Sequence, residues 1–189
     1  MLLSKDIENC LLTLSSGGLI LYPTDTVWGI GCDATNNEAV GKIIDIKHRP
    51  DSKSFVILVK DIESIQEYAD MPSSSMLEYA KNSIKPVTFV LKNARNLAPS
   101  TISGDGTVAI RIPKDELCKQ LLASYGKPIV STSANISGQP TPRIYTEIQD
   151  DIQASMDYIV HFRREDIKPS SSSTIISMEI NGAIKIIRP

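Results

Sequence analysis

A chain of 189 residues, 41% hydrophobic and 22% charged, can build one domain with a substantial core and is too short for two full ones. Its formal net charge of −2 excludes attraction of polyanions by the surface as a whole, so any phosphate contact must come from a local basic patch. The first residues, MLLSKDIENCLL, lack the apolar run and small-residue cleavage site of an export signal, and no window nears the run of about 18 apolar residues that spans a bilayer.

In chain order, Ile7, Leu11 and Leu14 at helical spacing predict a helix over residues 5 to 14, stopped by Gly17 and Gly18 before the strand-like LILYP. YPTDTVWGIG, residues 22 to 31, follows. Pro23 ends a strand, Thr24 and Thr26 flank Asp25, and Gly29 and Gly31 permit close backbone approach. This is either a strand–turn–strand corner whose Asp and Thr bond their own backbone, or part of a site. A helix is expected over 36 to 48, capped by Asn36 and buried through Val40, Ile43 and Ile44; it delivers KHRPDSK, residues 47 to 53. Three cations at a helix C-terminus are an ordinary arrangement. They also suit a phosphate clamp, with the planar fork of Arg49 and the mobile charges of Lys47 and Lys53.

Short β-branched or aromatic runs predict at least seven strands, at 55 to 60, 86 to 92, 107 to 112, 128 to 133, 158 to 162, 174 to 178 and 183 to 188. Helical patterns near 61 to 69, 73 to 82, 114 to 124 and 144 to 152 fall between some of them, which implies an α/β domain on a mixed sheet. In GDGTVAIRIP, residues 104 to 113, alternation puts Val108, Ile110 and Ile112 on one face and Arg111 on the other with Ala109. Arg111 is then either a surface residue or a carboxylate anchor among small side chains.

IVSTSANISGQPTP, residues 129 to 142, holds hydroxyls, one amide, glycine and proline, but no histidine, cysteine or carboxylate. One reading makes Ser131 or Ser133 the nucleophile of a Ser–Lys hydrolase with Lys47 or Lys53 as base, although no GxSxG elbow or Ser-x-x-Lys is present. A second makes it a neutral wall that cradles phosphates and a nucleoside. A third makes Ser133 or Asn135 the cap of a helix that the prolines soon end. SSSST at 170 to 174 is a linker by composition and a site loop by its place before a strand. Cys10, Cys32 and Cys118 form no CxxC pair, which fits a reducing cytosol, and only His48 and His161 are available for histidine chemistry.

YPTDTVWGIG, KHRPDSK, PVTFVL, TVAIRIP, STSANISG and the late SSST, in this order and spacing from about residue 18 onward, closely resemble the YrdC-like family of threonylcarbamoyl-AMP synthases. The resemblance implies a twisted mixed sheet with flanking helices and a large concave cavity, in the short form with one domain over residues 1–189. It implies that ATP, L-threonine and bicarbonate give threonylcarbamoyl-AMP and pyrophosphate in the cytoplasm, for N6-threonylcarbamoyladenosine in tRNA. Thr26, Arg111, Ser131 and Ser173 would bind threonine. Arg49, Lys53, Thr107, Ser133, Thr141 and Arg188 would bind ATP, and Lys47, Arg49, Ser133 and Asn135 would form the catalytic set. Mg²⁺ would accompany ATP, with no protein ligand assigned. Partners would be downstream threonylcarbamoyl-transfer proteins and tRNA or double-stranded RNA, with no membrane. The alternative is a paralogue of the same fold acting mainly on RNA. Two departures stand out: Ser83, Ile84 and Lys85 replace a common Trp-Pro-Gly, and Leu58 replaces a common histidine.

Overall fold

The computed structural model describes residues 2–48 and 55–189; Arg49 and Lys53 lie outside the described residues. Helix α1 (Leu2–Ser15) leads into β1 (Ile20–Tyr22), which turns back as β2 (Gly29–Gly31). Gly31 is required here, because a Cβ would come within 2.6 Å of the Tyr22 ring and 2.8 Å of the Val130 carbonyl. Helix α2 (Asn37–Lys47) starts where the Asn36 side chain accepts from the amides of Glu38 and Ala39, and ends at His48 in the left-handed region, φ 47°.

Strand β3 (Val56–Leu58) precedes the one-turn helix α3 (Ile65–Tyr68), helix α4 (Ser74–Asn82) and β4 (Val87–Leu91). Then come β5 (Val108–Arg111), α5 (Glu116–Tyr125), β6 (Ile129–Ser133), the short helix α6 (Asp150–Ala154), β7 (Tyr158–Ile159), β8 (Thr174–Met178) and β9 (Ile184–Arg188). Asp115 caps α5 by accepting from the Cys118 amide at 2.9 Å.

The nine strands among the described residues form one twisted mixed sheet in the order β7-β1-β2-β6-β3-β5-β4-β8-β9. Pairs β1/β7, β3/β5 and β4/β8 are parallel and the rest antiparallel. Partners in register share a face. One face therefore carries the row Val130, Ile57, Ile110, Phe89 and Ile176, all buried. With Ile7, Leu14, Val40, Ile43, Leu117 and Leu121 of the helices they form the core. Fully burying one such aliphatic side chain contributes about 1.5–3 kcal/mol. The other face carries Ser133 opposite Gly29, Ser131 opposite Val56, Arg111 opposite Leu58, and Thr88 beside Ile175, which is opposite Arg188.

Several expected elements are shorter than the sequence pattern suggests. The run 158 to 162 is a strand only at Tyr158–Ile159, and 61 to 69 is helical only at Ile65–Tyr68. The stretch 144 to 152 divides into a 3₁₀ turn, Tyr145–Glu147, and α6. No helix begins at Ser133 or Asn135. Turns occupy the segment to residue 144, and the Lys47 ammonium takes the main-chain carbonyls of both Ser133 and Asn135, which a helix there would use itself. Among the described residues no helix is long and apolar enough to cross a membrane.

Candidate functional site

The polar face of the sheet opens on a cavity of about 200 Å³ lined by Thr26, Val27, Gly29, Val56, Arg111, Ser131, Thr132, Ser133, Thr141, Ser172, Ser173, Ile175 and Arg188. Strand alternation delivers Ser131 and Ser133 from β6, Val56 from β3, Arg111 from β5 and Ile175 from β8 to this face. Gly29 leaves room for Ser131, whose hydroxyl a Cβ would meet at 3.2 Å.

Arg111, 4% exposed, donates from Nη1 to the Thr26 hydroxyl at 2.7 Å. Its Nη2 stands 3.6 Å from Asp25 Oδ1. Thr24 donates its only hydroxyl proton to the Val27 carbonyl at 2.8 Å, so in the 2.9 Å contact between the two threonines Thr26 is the donor. Toward Arg111 the Thr26 oxygen is then purely an acceptor. Behind it, the Asp25 amide donates to Asp115 Oδ2 at 3.1 Å, and Asp25 Oδ2 accepts from the Lys114 amide at 2.9 Å. Burial pushes the Asp115 carboxyl above its ordinary value, and the nearby charge of Asp25 adds to the shift.

At the opposite wall Arg188 reaches from the end of β9. Its Nε and Nη2 donate to the Ser173 carbonyl at 3.1 and 2.9 Å, and Nη2 also meets the Ser173 hydroxyl at 3.3 Å. That hydroxyl contacts Thr88 at 2.8 Å. Loss of hydration and then the field of Arg111 hold Arg188 below the usual guanidinium value. Two cations therefore face one small space lined by hydroxyls. The SSSST segment forms part of this wall: Ser172 and Ser173 line the cavity, and Ser170 donates from its amide and hydroxyl to the Arg143 carbonyl, at 3.2 and 2.9 Å. This tie holds the 137–144 turn, which includes Thr141, beside the cavity.

Seven residues expected at the site, Thr26, Arg111, Ser131, Ser133, Thr141, Ser173 and Arg188, share this cavity. Lys47 and Asn135 support its wall from behind. Lys47 is 1% exposed, and the Asn135 amide donates to the carbonyls of Ile136 and Gln139, both at 2.9 Å. An ammonium donating to the Ser133 carbonyl is not arranged as a base for the Ser133 hydroxyl, so the Ser–Lys hydrolase arrangement is not built by Lys47. Thr107 stands apart. Its hydroxyl donates to Asp105 at 2.7 Å, and it lines a second cavity of about 480 Å³ with Met71, Met76 and Met178.

Of the two departures, Leu58 is buried directly beside Arg111 in register, whereas Ile84 is fully exposed ahead of β4. Sequence reasoning did not single out Val27, Val56, Ser172 or Ile175 as wall residues, Thr88 as the buried partner of Ser173, or Asp25 as the partner of Arg111. Val56 and Ile175 could have been found from alternation once the pairing with β6 and β4 was known; Asp25 offered no local signal.

The Sua5/YciO/YrdC family, described as "Telomere recombination", matches residues 13–189. The chain is 33% identical over 150 residues to threonylcarbamoyl-AMP synthase from Photobacterium profundum, covering 78% of this chain and 81% of that one. It is 30% identical over 182 residues to the enzyme of the same name from Pseudoalteromonas translucida, covering 94% and 95%. Among solved structures, P. abyssi Sua5 complexed with L-threonine superimposes with a TM-score of 0.83 at 27% identity, over 97% of this chain and 53% of Sua5. The chain thus spans about half the length of that Sua5. E. coli YciO superimposes with a TM-score of 0.81 at 25% identity, over 96% of this chain and 87% of YciO.

Proposed function

Because the chain belongs to the Sua5/YciO/YrdC family, we propose that it is a threonylcarbamoyl-AMP synthase, a nucleotidyltransferase. L-threonine, bicarbonate and ATP are converted to threonylcarbamoyl-AMP and pyrophosphate, the first step toward N6-threonylcarbamoyladenosine in tRNA. The observation that carries this reading is the cavity itself: two guanidiniums, Arg111 and Arg188, face a space walled by the hydroxyls of Thr26, Ser131, Ser133 and Ser173. Such a lining is built to bind anions and orient uncharged groups.

The chemistry suits those residues. Condensation of the threonine amine with bicarbonate releases water and leaves a carbamate, whose anionic oxygen attacks the α-phosphorus of ATP as the bond to pyrophosphate breaks. The nucleophile is thus formed on the substrate, and no side chain has to be activated. The barrier is repulsion between two anions, which cations and fixed dipoles reduce, while holding the reactants in line is worth about 7–11 kcal/mol. Arg111 and Thr26 anchor the threonine carboxylate, with Ser131 and Ser173 beside it. Ser133, Thr141 and Arg188 take the nucleotide side, joined by Arg49 and Lys53. Lys47 acts through the backbone of the Ser133–Asn135 wall. Mg²⁺ would accompany ATP and offset the charge of its triphosphate, with no residue of this chain assigned to hold it. The setting is the cytoplasm, and the product passes to threonylcarbamoyl-transfer proteins acting on tRNA.

Incubating the protein with ATP, L-threonine and bicarbonate tests this. Pyrophosphate release that requires all three is expected; folded protein that releases none in the presence of threonine overturns the reading and leaves RNA binding as the alternative.

A further inference from the structure

Asp25 does not line the cavity, yet its carboxylate forms an ion pair with Arg111, one of the two cations that do. We propose that Asp25 is a positioning residue for carboxylate recognition: it orients and neutralises Arg111, so that capture of the amino-acid substrate depends on a side chain the substrate never touches. This rests on the functional reading above.

Three observations carry it. First, Asp25 is fixed from both sides, its amide on Asp115 at 3.1 Å and its Oδ2 on the Lys114 amide at 2.9 Å. Its other oxygen, Oδ1, is buried without a hydrogen bond and stands 3.6 Å from Arg111 Nη2. An oxygen stripped of water and left without a donor is costly unless a charge faces it. Here the guanidinium is that charge, and Arg111 Nε is likewise buried without a partner.

Second, the Thr26 oxygen is an acceptor toward Nη1 because its own proton goes to Thr24. Thr26 on one nitrogen and Asp25 beside the other set the plane of the guanidinium, and a planar fork binds a carboxylate well only when its plane is fixed. Third, the pairing is selective: among the described residues Asp25 is the only carboxylate in an ion pair with either cavity arginine, and it faces Arg111, the one that anchors the carboxylate.

The test uses the whole chain and Asp25→Asn, which keeps the shape and an acceptor for the Lys114 amide but removes the charge. L-threonine binding is followed by calorimetry, with KM for threonine and for ATP measured separately. The proposal predicts threonine affinity at least tenfold weaker and threonine KM raised to match. The ATP KM should stay within twofold and the melting temperature within a few degrees. Asp25→Ser, smaller and also uncharged, gives the same reading if the asparagine variant fails to fold. A variant whose threonine affinity matches that of the wild type, or whose ATP KM rises equally, overturns the positioning role alone. Wild-type protein that binds no L-threonine overturns the functional reading instead.

Discussion

Across β6, β3, β5, β4 and β8, one face of the sheet carries Val130, Ile57, Ile110, Phe89 and Ile176, and the other Ser131, Val56, Arg111, Thr88 and Ile175. Both sets are largely buried, so burial alone does not tell them apart. They differ in what they bury against. The first packs on the apolar sides of the helices and holds the fold together; the second, with Thr88 buried behind Ser173, lines a cavity and keeps a cation and hydroxyls there without filling it. A one-residue step along a strand therefore moves a side chain from stability to chemistry.

The largest effect that would break this contrast is on the polar face. Arg111→Ala should lower kcat/KM about 10²–10³-fold, with the loss concentrated in the threonine requirement. Steady-state kinetics with each substrate varied in turn would reveal a loss shared equally with ATP, which would contradict the anchoring role. On the apolar face, Ile57→Ala should cost about 2–5 kcal/mol of stability by leaving a cavity in a close-packed row, while the folded fraction keeps its threonine KM; denaturant titration alongside kinetics measures both. Ser173→Ala removes one hydroxyl shared by Thr88 and Arg188 and should cost about 1 kcal/mol of ligand binding, read as a several-fold rise in KM.

The smallest effect lies away from both faces, at Asp6. Burial works to raise its carboxyl, but hydrogen bonds from the Tyr158 hydroxyl and the amides of His161 and Phe162 prevail and hold it below the ordinary 3.8. A depressed folded-state value means stability that is present above the unfolded value and lost as pH falls through the folded one. Asp6→Asn should therefore melt lower than the wild type near neutrality, with the gap closing below about pH 4 as Asp6 protonates. Thermal scans across pH would show a constant gap if Asp6 made no such contribution.

Much of this arrangement was legible in the sequence. Alternation in TVAIRIP placed Arg111 opposite the core row, and Asn36 marked a helix start by a side chain that accepts from the next turn, as Ser73 and Asp115 do in the structure for α4 and α5. What was hidden depends on distance along the chain. Thr26 and Arg111 are 85 residues apart, and the pairing of Asp25 with Arg111 arises only when the β1–β2 corner meets the end of β5. The STSAN stretch does not continue as a helix because Lys47, 86 residues away from Ser133, occupies its carbonyls. Thr107, expected among the ATP contacts, bonds Asp105 across a two-residue turn and lines the second cavity, a placement that periodicity does not register.

The central claim, that the nucleophile is made from bicarbonate on the substrate amine and ends on the α-phosphate, is tested most directly with ¹³C-bicarbonate. Single-turnover product from ATP, L-threonine and labelled bicarbonate, analysed by mass spectrometry, should be threonylcarbamoyl-AMP carrying one ¹³C in its carbamoyl group. Unlabelled product, or pyrophosphate released with plain threonyl-AMP, would contradict it.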